Sequence, residues 1–438
     1  MQTINVIGGG LAGCEAAYRI AREGIKVKLW EMRPSKNTPV HRTGNLAELV
    51  CSNSLKSDLE NTAQGLLKRE MRMLDSLLLA CAEEARVPAG SALAVDRELF
   101  SNLVSAKISA HPGIEVIRQE VAEIPGNGIC IVATGPLTSE ALTASLLELT
   151  GETNLFFYDA VAPSVTADSL NMDKIYRASR YGKGTDDYLN CPLNQDEYEL
   201  FYDNLIKADT KEAHNIERKE YFDSCMPVEE IASRGKDTLR YGPMRPVGLD
   251  DPREGRRPYA VVQLRQEDLA GTIYGLVGFQ TRLRWGEQNQ VFRLIPGLEH
   301  ADFVRYGVMH RNTYVNSPKL LKAGLQLRQE PRIFLAGQIT GVEGYMESSA
   351  TGILAGINAV RTARGEQAAV PDKATMLGAL LDFITTSDSK HFQPINANFG
   401  LLPPLSRNIK DKQKRYAEYS NRALTEMHEF SELLQKHL

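Results

Sequence analysis

Four glycines and one acid near the N-terminus have the types and spacing to hold a dinucleotide. Gly8-Gly9-Gly10-Leu11-Ala12-Gly13 follows the apolar run Ile4 to Ile7 and precedes a helix-forming stretch, Cys14 to Arg22. Gly8, Gly10 and Gly13 fit the G-x-G-x-x-G fingerprint. The first glycine permits a tight turn, the second lets a pyrophosphate approach the backbone, and the third brings helix and strand together. The helix N-terminus then offers N–H groups and a positive dipole end to the diphosphate. Gly24 ends that helix, and Lys26 to Trp30 alternates as a second strand. Glu31 stands at its end, where a carboxylate can bind a ribose hydroxyl and would repel a 2′-phosphate. FAD and NAD both fit this stretch taken alone. A glycine turn that binds nothing is the bland alternative, and the flanking strand, helix and acid argue against it.

The second reactive group is a thiol. Cys225 lies just before Pro227, which suits the first turn of a helix over Val228 to Ser233. A thiol at a helix N-terminus has a lowered pKa and more thiolate. The other cysteines differ. Cys14, Cys81 and Cys130 fall on core-facing helices or a strand and read as structural, and Cys191 falls in a loop before Pro192 with no function assigned. Cys51 lies in a polar stretch, Arg33 to Ser57, that reads as a long loop able to fold over a cofactor. No C-x-x-C pair occurs, so neither a metal site nor a disulfide framework is expected. Reduced thiols fit a cytoplasmic protein. The N-terminus carries no signal-like h-region and no apolar run reaches transmembrane length, so no membrane is expected.

The elements that must position these groups follow from the apolar spacing. The chain has 438 residues, 42% hydrophobic and 24% charged, which suits two domains or one large interrupted domain. Leu66 to Ala85 has the spacing of one core-facing helix, Ser91 to Val95 of a strand, Arg97 to Ala110 of a helix, and Glu115 to Glu123 of a strand. Gly128 to Gly135 reads as a buried strand ending in a small-residue turn. From about Leu155 the α/β alternation is lost, and short β-like runs mix with charged helices and Gly/Pro/Arg loops. Arg332 to Gly337 then restores a buried strand, followed by Gly341, Gly344 and a small-residue helix over about Ser348 to Arg364. Its Ala350, Ala355, Ala359, Gly352 and Gly356 allow close packing on a sheet or cofactor. Residues 407 to 438 read as a solvated helix.

This is the layout of a two-segment FAD protein, whose second glycine junction presents a helix N-terminus to the flavin ring. The expected fold is α/β: a Rossmann-type FAD-binding domain in two parts, 1–154 and 305–438, interrupted by a smaller α+β insertion, 155–304. No second G-x-G-x-x-G occurs, so NAD(P)H would act only as a transient reductant. Net charge is −4, so any nucleic-acid site must be a local patch. Arg240, Arg245, Arg253, Arg256, Arg257, Arg282 and Arg284, interleaved with Tyr241, Tyr259 and Trp285, make the insertion the candidate RNA face. Ordinary solvated surface is the competing reading for any one of them.

Five segments together carry a family resemblance. They are Gly8 to Ala17, Val50-Cys51-Ser52-Asn53-Ser54, Cys225-Met226-Pro227-Val228-Glu229, Tyr241 to Leu249, and Leu335-Ala336-Gly337-Gln338-Ile339-Thr340-Gly341-Val342-Glu343-Gly344-Tyr345. The chain resembles, over essentially its whole length, the folate- and flavin-dependent tRNA (uracil-5-)-methyltransferases, TrmFO. The Gly337 to Tyr345 segment is shared with the larger glucose-inhibited-division-protein-A group of wobble-uridine modifiers, and the cysteine and Tyr241 segments separate the two.

The resemblance implies a reaction. A methylene group from 5,10-methylenetetrahydrofolate, reduced by FADH2, becomes the C5-methyl of the T-loop uridine in tRNA. Uracil is too weakly nucleophilic at C5 unless a group first adds at C6, and a thiolate adds readily and leaves again. The resemblance makes Cys225 that nucleophile and Cys51 the second thiol, removing the C5 proton or protecting the flavin adduct. It brings Gly337, Gln338, Gly344 and Tyr345 to the flavin or folate, and His310 to the folate pterin. A structural histidine is the alternative at His310. Two other functions compete: a wobble-uridine modifier, against which the chain lacks a long C-terminal helical extension, and a non-catalytic flavoprotein that binds tRNA. Folate-dependent methyl transfer that is lost in Cys225→Ala excludes the latter.

Overall fold

The computed structural model describes residues 3–38, 40–151, 155–183, 185–210 and 226–435. Cys225 lies outside the described residues.

Ile4–Ile7 is the middle strand of a five-stranded sheet ordered Ile333–Leu335, Cys130–Val132, Ile4–Ile7, Val27–Trp30, Ile114–Ile117. Every neighbouring pair is parallel. Parallel neighbours need crossover connections, and strands covered on both faces read as apolar runs. Leu11–Arg22 begins the first crossover, and Cys130–Val132 and Ile333–Leu335 are buried throughout. The strand expected over Glu115 to Glu123 is shorter, Ile114–Ile117. Tyr345–Ala363 packs closely on Leu11–Arg22 through its glycines. A Cβ on Gly352 would stand 2.3 Å from the Ala12 carbonyl oxygen, and one on Gly356 2.9 Å from that of Ala16.

Three expectations are corrected. Leu66 to Ala85 is two helices, Ala63–Met73 and Leu77–Glu84. Asp75 between them has φ 56°. The buried Glu15 carboxylate accepts hydrogen bonds from the Ser76 hydroxyl and from the Leu77 and Leu78 amides. It thereby caps a second helix where the apolar spacing alone would continue the first. Cys191 is a buried residue of the strand Tyr188–Leu193, and no loop. The strand Tyr176–Arg177 on its outer side pairs only with Leu189 and Asn190, so Pro192 meets an open edge there. The terminal helix, Lys412–Gln435, is not simply solvated: Ser420, Ala423, Met427, Phe430 and Leu434 recur at helical spacing and are buried.

Residues 164–305 supply a second, antiparallel sheet of six strands ordered Tyr176–Arg177, Tyr188–Leu193, Ala260–Gln266, Ile273–Leu276, Ser164–Thr166, Phe303–Arg305. It has its own apolar core, from Val165 to Phe303, distinct from the core that Ile4 to Leu146 shares with Tyr314 to Leu434. An antiparallel ribbon of Leu155–Ala160 and Met309–Tyr314 joins the two regions.

Candidate active site

The glycine turn is held open by backbone contacts. Gly8 has φ 106°, and a Cβ there would lie 2.5 Å from the Ala133 carbonyl oxygen. At Gly13 a Cβ would lie 1.8 Å from the Gly8 carbonyl oxygen, so the helix presses directly on the strand end. Gly10 contrasts with both, because a Cβ there meets nothing within 4 Å. Gly10 is also the N-cap of Leu11–Arg22 and provides no side-chain cap. The amides of this first turn therefore face a cavity that Gly8, Gly10, Leu11 and Ala12 line.

Glu31 lines the same cavity, and its carboxylate is already engaged. It accepts the Gly9 amide at 2.9 Å, the Arg33 amide at 2.9 Å and Arg33 Nε at 2.8 Å. Burial alone would raise its pKa, but the hydrogen bonds and charge of Arg33 prevail and lower it. Gly9 is thus a buttress, with Leu46 and Glu31 filling the space a side chain would need. Arg33 is almost wholly buried between Glu31 and Glu48. Sequence reasoning missed it, although an arginine two residues beyond Glu31 was a visible signal.

The second glycine junction closes the cavity from the other side. Gly337, Gln338, Tyr345 and Ser348 line it. Gly337, Gly341 and Gly344 have φ of 83°, 83° and 124°, the left-handed region that glycine enters without strain. A Cβ on Gly344, the N-cap of the helix Tyr345–Ala363, would fall 2.1 Å from Glu347 Oε2, and its φ of 124° disfavours any other residue there. The helix begins earlier than its small-residue spacing suggests, which makes Tyr345 its first residue. The Tyr345 hydroxyl accepts the Cys51 amide at 2.8 Å and the Ser52 amide at 3.1 Å. Burial and then the neighbouring Cys51 thiol push the Tyr345 phenol pKa up. Cys51 is half-buried, next to Val50, which lines the cavity.

The thiols expected to be structural, Cys14, Cys81 and Cys130, are buried, and so is Cys191, to which no role was assigned. Burial pushes Cys81 up to about 11 and Cys130 to about 12.

The predicted substrate residues separate into four places. Arg245, Arg256 and Arg257 line a second cavity of about 1240 Å³ on the insertion, together with Arg240, Tyr241 and Tyr259. There Tyr241 is 81% exposed, and Arg240 lies over the Tyr259 ring at 3.6 Å from its centroid. Arg282 lies elsewhere, paired with Glu229 and Glu230 on the helix Val228–Ser233. Arg284 is exposed at the start of the helix Trp285–Phe292. His310 is in the ribbon strand, and its side chain lies outside what the structure describes. None of these arginines lines the glycine cavity. Among the described residues there is no metal-binding cluster and no helix long and apolar enough to cross a membrane.

Comparison with known proteins places this geometry. The family model "Glucose inhibited division protein A" matches residues 3–367. A protein of Syntrophomonas wolfei named "Methylenetetrahydrofolate--tRNA-(uracil-5-)-methyltransferase TrmFO" is 70% identical over 99% of this chain and 100% of its own length. The protein of the same name from Moorella thermoacetica is 60% identical over 96% of each chain. Among solved structures, Aquifex aeolicus GidA superposes with TM-score 0.71 at 17% identity, over 99% of this chain and 74% of that one. That likeness supports the Rossmann-type FAD-binding fold.

Proposed function

We propose a reaction for this chain from its membership of a family: it belongs to the flavin-dependent methylenetetrahydrofolate--tRNA-(uracil-5-)-methyltransferases, TrmFO. The reaction is C5-methylation of the T-loop uridine of tRNA, forming ribothymidine. FAD belongs between the two glycine junctions. The open space at Gly10 and the left-handed glycines at 337 and 344 fit that group. Gly8 to Ala12 would hold its pyrophosphate, Glu31 its ribose, and Gly337 to Tyr345 its ring. When bound, FAD in its reduced form supplies the electrons that bring the transferred one-carbon unit to the methyl level. NAD(P)H would be the transient reductant.

Within that frame the chain's own residues do the following. The Cys225 thiolate adds to uracil C6, and the electron pair of the C5–C6 bond makes C5 nucleophilic toward the folate-derived carbon. A base then takes the C5 proton, and the bond from C6 to sulfur breaks to restore the ring. Cys51 is the candidate for the second thiol's work. Tyr345 holds the Cys51 and Ser52 amides at the cavity edge, and residues 155–304 form the insertion that receives RNA. His310 would face the pterin. The arginines at 245, 256 and 257 would meet phosphates, with Arg284 as a further contact and Arg282 holding the helix that follows Cys225.

The observation that carries this reading is the pair of hydrogen bonds from the Cys51 and Ser52 amides to Tyr345. They join a candidate catalytic thiol to the helix that closes the dinucleotide cavity. Incubating reduced holoenzyme with unmodified tRNA and methylene-labelled folate tests it. Label is expected in 5-methyluridine of the T-loop; label at the wobble uridine, or none, overturns it.

A further inference from the structure

The loop that carries Cys51 is gripped from two sides. Tyr345 takes the Cys51 and Ser52 amides from the cofactor side. From the other side comes Arg265, near the end of the insertion strand Ala260–Gln266. Its Nε donates to Asn53 Oδ1 at 2.8 Å and its Nη2 to Ser52 Oγ at 2.7 Å. A guanidinium can serve two separate oxygens in this way because its donors form a rigid fork, which a lysine lacks.

The neighbouring residues continue the seam. Asn53, fully buried, donates to the Gln266 carbonyl at 2.9 Å and to the Val95 carbonyl at 3.0 Å. Glu267 pairs with Arg97 at 2.7 Å and accepts the Ser164 hydroxyl at 2.9 Å. Arg305, on the outermost strand of the same sheet, donates to the Val50 carbonyl at 3.3 Å. Residues 50, 52 and 53 are therefore each bonded to the insertion sheet, and 51 and 52 to Tyr345. The same strand begins beside the arginine-lined cavity, where Pro258 and Tyr259 form part of the wall. Seven residues of strand span roughly 20 Å, so one stiff element runs from that cavity to the Cys51 loop.

We propose that Arg265 is the positioning residue through which the insertion sheet sets the Cys51 loop against the cofactor cavity, which rests on the functional reading of Cys51 given above. The side chain does not line the cofactor cavity. It acts by fixing Ser52 and Asn53, the two residues that follow the thiol.

The test uses full-length holoenzyme and two readouts. The rate at which iodoacetamide alkylates Cys51 is followed by peptide mass spectrometry, and kcat and KM for tRNA are measured separately. Arg265→Met removes both donors and keeps the stem. It is expected to speed Cys51 alkylation about tenfold and lower kcat about tenfold, with KM for tRNA and the flavin spectrum near those of the parent. Arg265→Lys, with the charge but no fork, falls between. Ser52→Ala removes one acceptor and shifts both readouts in the same direction by less, which keeps the test available should Arg265→Met fail to fold. Parental alkylation rates in the folded variants overturn the proposal, and so does an effect confined to KM, which would make Arg265 an RNA contact. Alkylation needs no turnover. Loosening of Cys51 in a protein that methylates no tRNA would sink the functional reading and leave the clamp standing.

Discussion

At the glycine turn one added carbon would strike backbone, 1.8 Å from a carbonyl oxygen at Gly13, while in the insertion's arginine groove Arg256 is 77% exposed and paired with its neighbour Glu254. The first region is specified by main-chain geometry, and almost any side chain there does harm. The second is made of side-chain tips on a surface, where single contacts are worth little and the sum of charge does the work. Cofactor binding should therefore fail abruptly under substitution, and RNA binding gradually.

The largest effects belong to the glycines, and two neighbouring positions should part company. Gly13→Val drives a side chain into the Gly8 carbonyl and is expected to yield no folded protein. A Cβ at Gly10 meets no protein atom within 4 Å, so Gly10→Val should fold, with an unchanged circular dichroism spectrum, and purify without flavin colour. A yellow Gly10→Val protein would break the assignment of this cavity to FAD.

Tyr345→Phe comes next. It removes the acceptor for two amides, and each buried donor left unpaired costs about 1–3 kcal/mol. The helix and its glycine cap stay, so flavin is expected to remain bound while the methylation rate falls by about tenfold or more. Loss of flavin in this variant would show that the phenol serves the cofactor and not the Cys51 loop.

A smaller and graded change is expected across the groove. Reversing Arg256 and Arg257 to glutamate should weaken tRNA binding and reduce the slope of log affinity against log salt by about two, leaving the flavin spectrum alone. An unchanged slope would leave both as ordinary surface.

The smallest effect sharpens the contrast between buried and exposed charge. Burial lifts Glu70 to about 8 and Glu15 to about 7, against an ordinary 4.5, although backbone amides of Met376 and Leu377 and of Leu77 and Leu78 hold them. The folded chain keeps protons that the unfolded chain releases, so stability should fall as pH rises from about 4.5 to about 8 and then level off. Glu70→Gln should be less stable at low pH and flatter across that range in thermal melts. A parental slope would remove Glu70 from the account.

What was legible in the sequence follows the same division. Gly8 and Gly13 could be read because each stands where a Cβ would strike backbone, and Gly344 because its φ of 124° favours glycine; such positions leave a fixed spacing. The strands Cys130–Val132 and Ile333–Leu335 could be read because strands buried on both faces are unbroken apolar runs. The break at Asp75 could not, since it depends on Glu15, sixty residues away, capping a helix from another element. Arg265 was equally hidden: nothing near it in sequence announces Ser52 and Asn53. Among the arginines, composition marked the insertion but could not distinguish Arg256 in the groove from Arg282 paired with Glu230.

In the proposed reaction one thiol from the insertion attacks the uracil while another, held by the cofactor helix, serves afterward. tRNA carrying 5-fluorouridine at the target traps the attack, because fluorine cannot leave C5 as a proton does. Denaturing gels and peptide mapping of that adduct should place it on Cys225, absent from Cys225→Ala and retained by Cys51→Ala without release of methylated tRNA. An adduct that persists in Cys225→Ala and vanishes in Cys51→Ala would contradict the account and reverse the two roles.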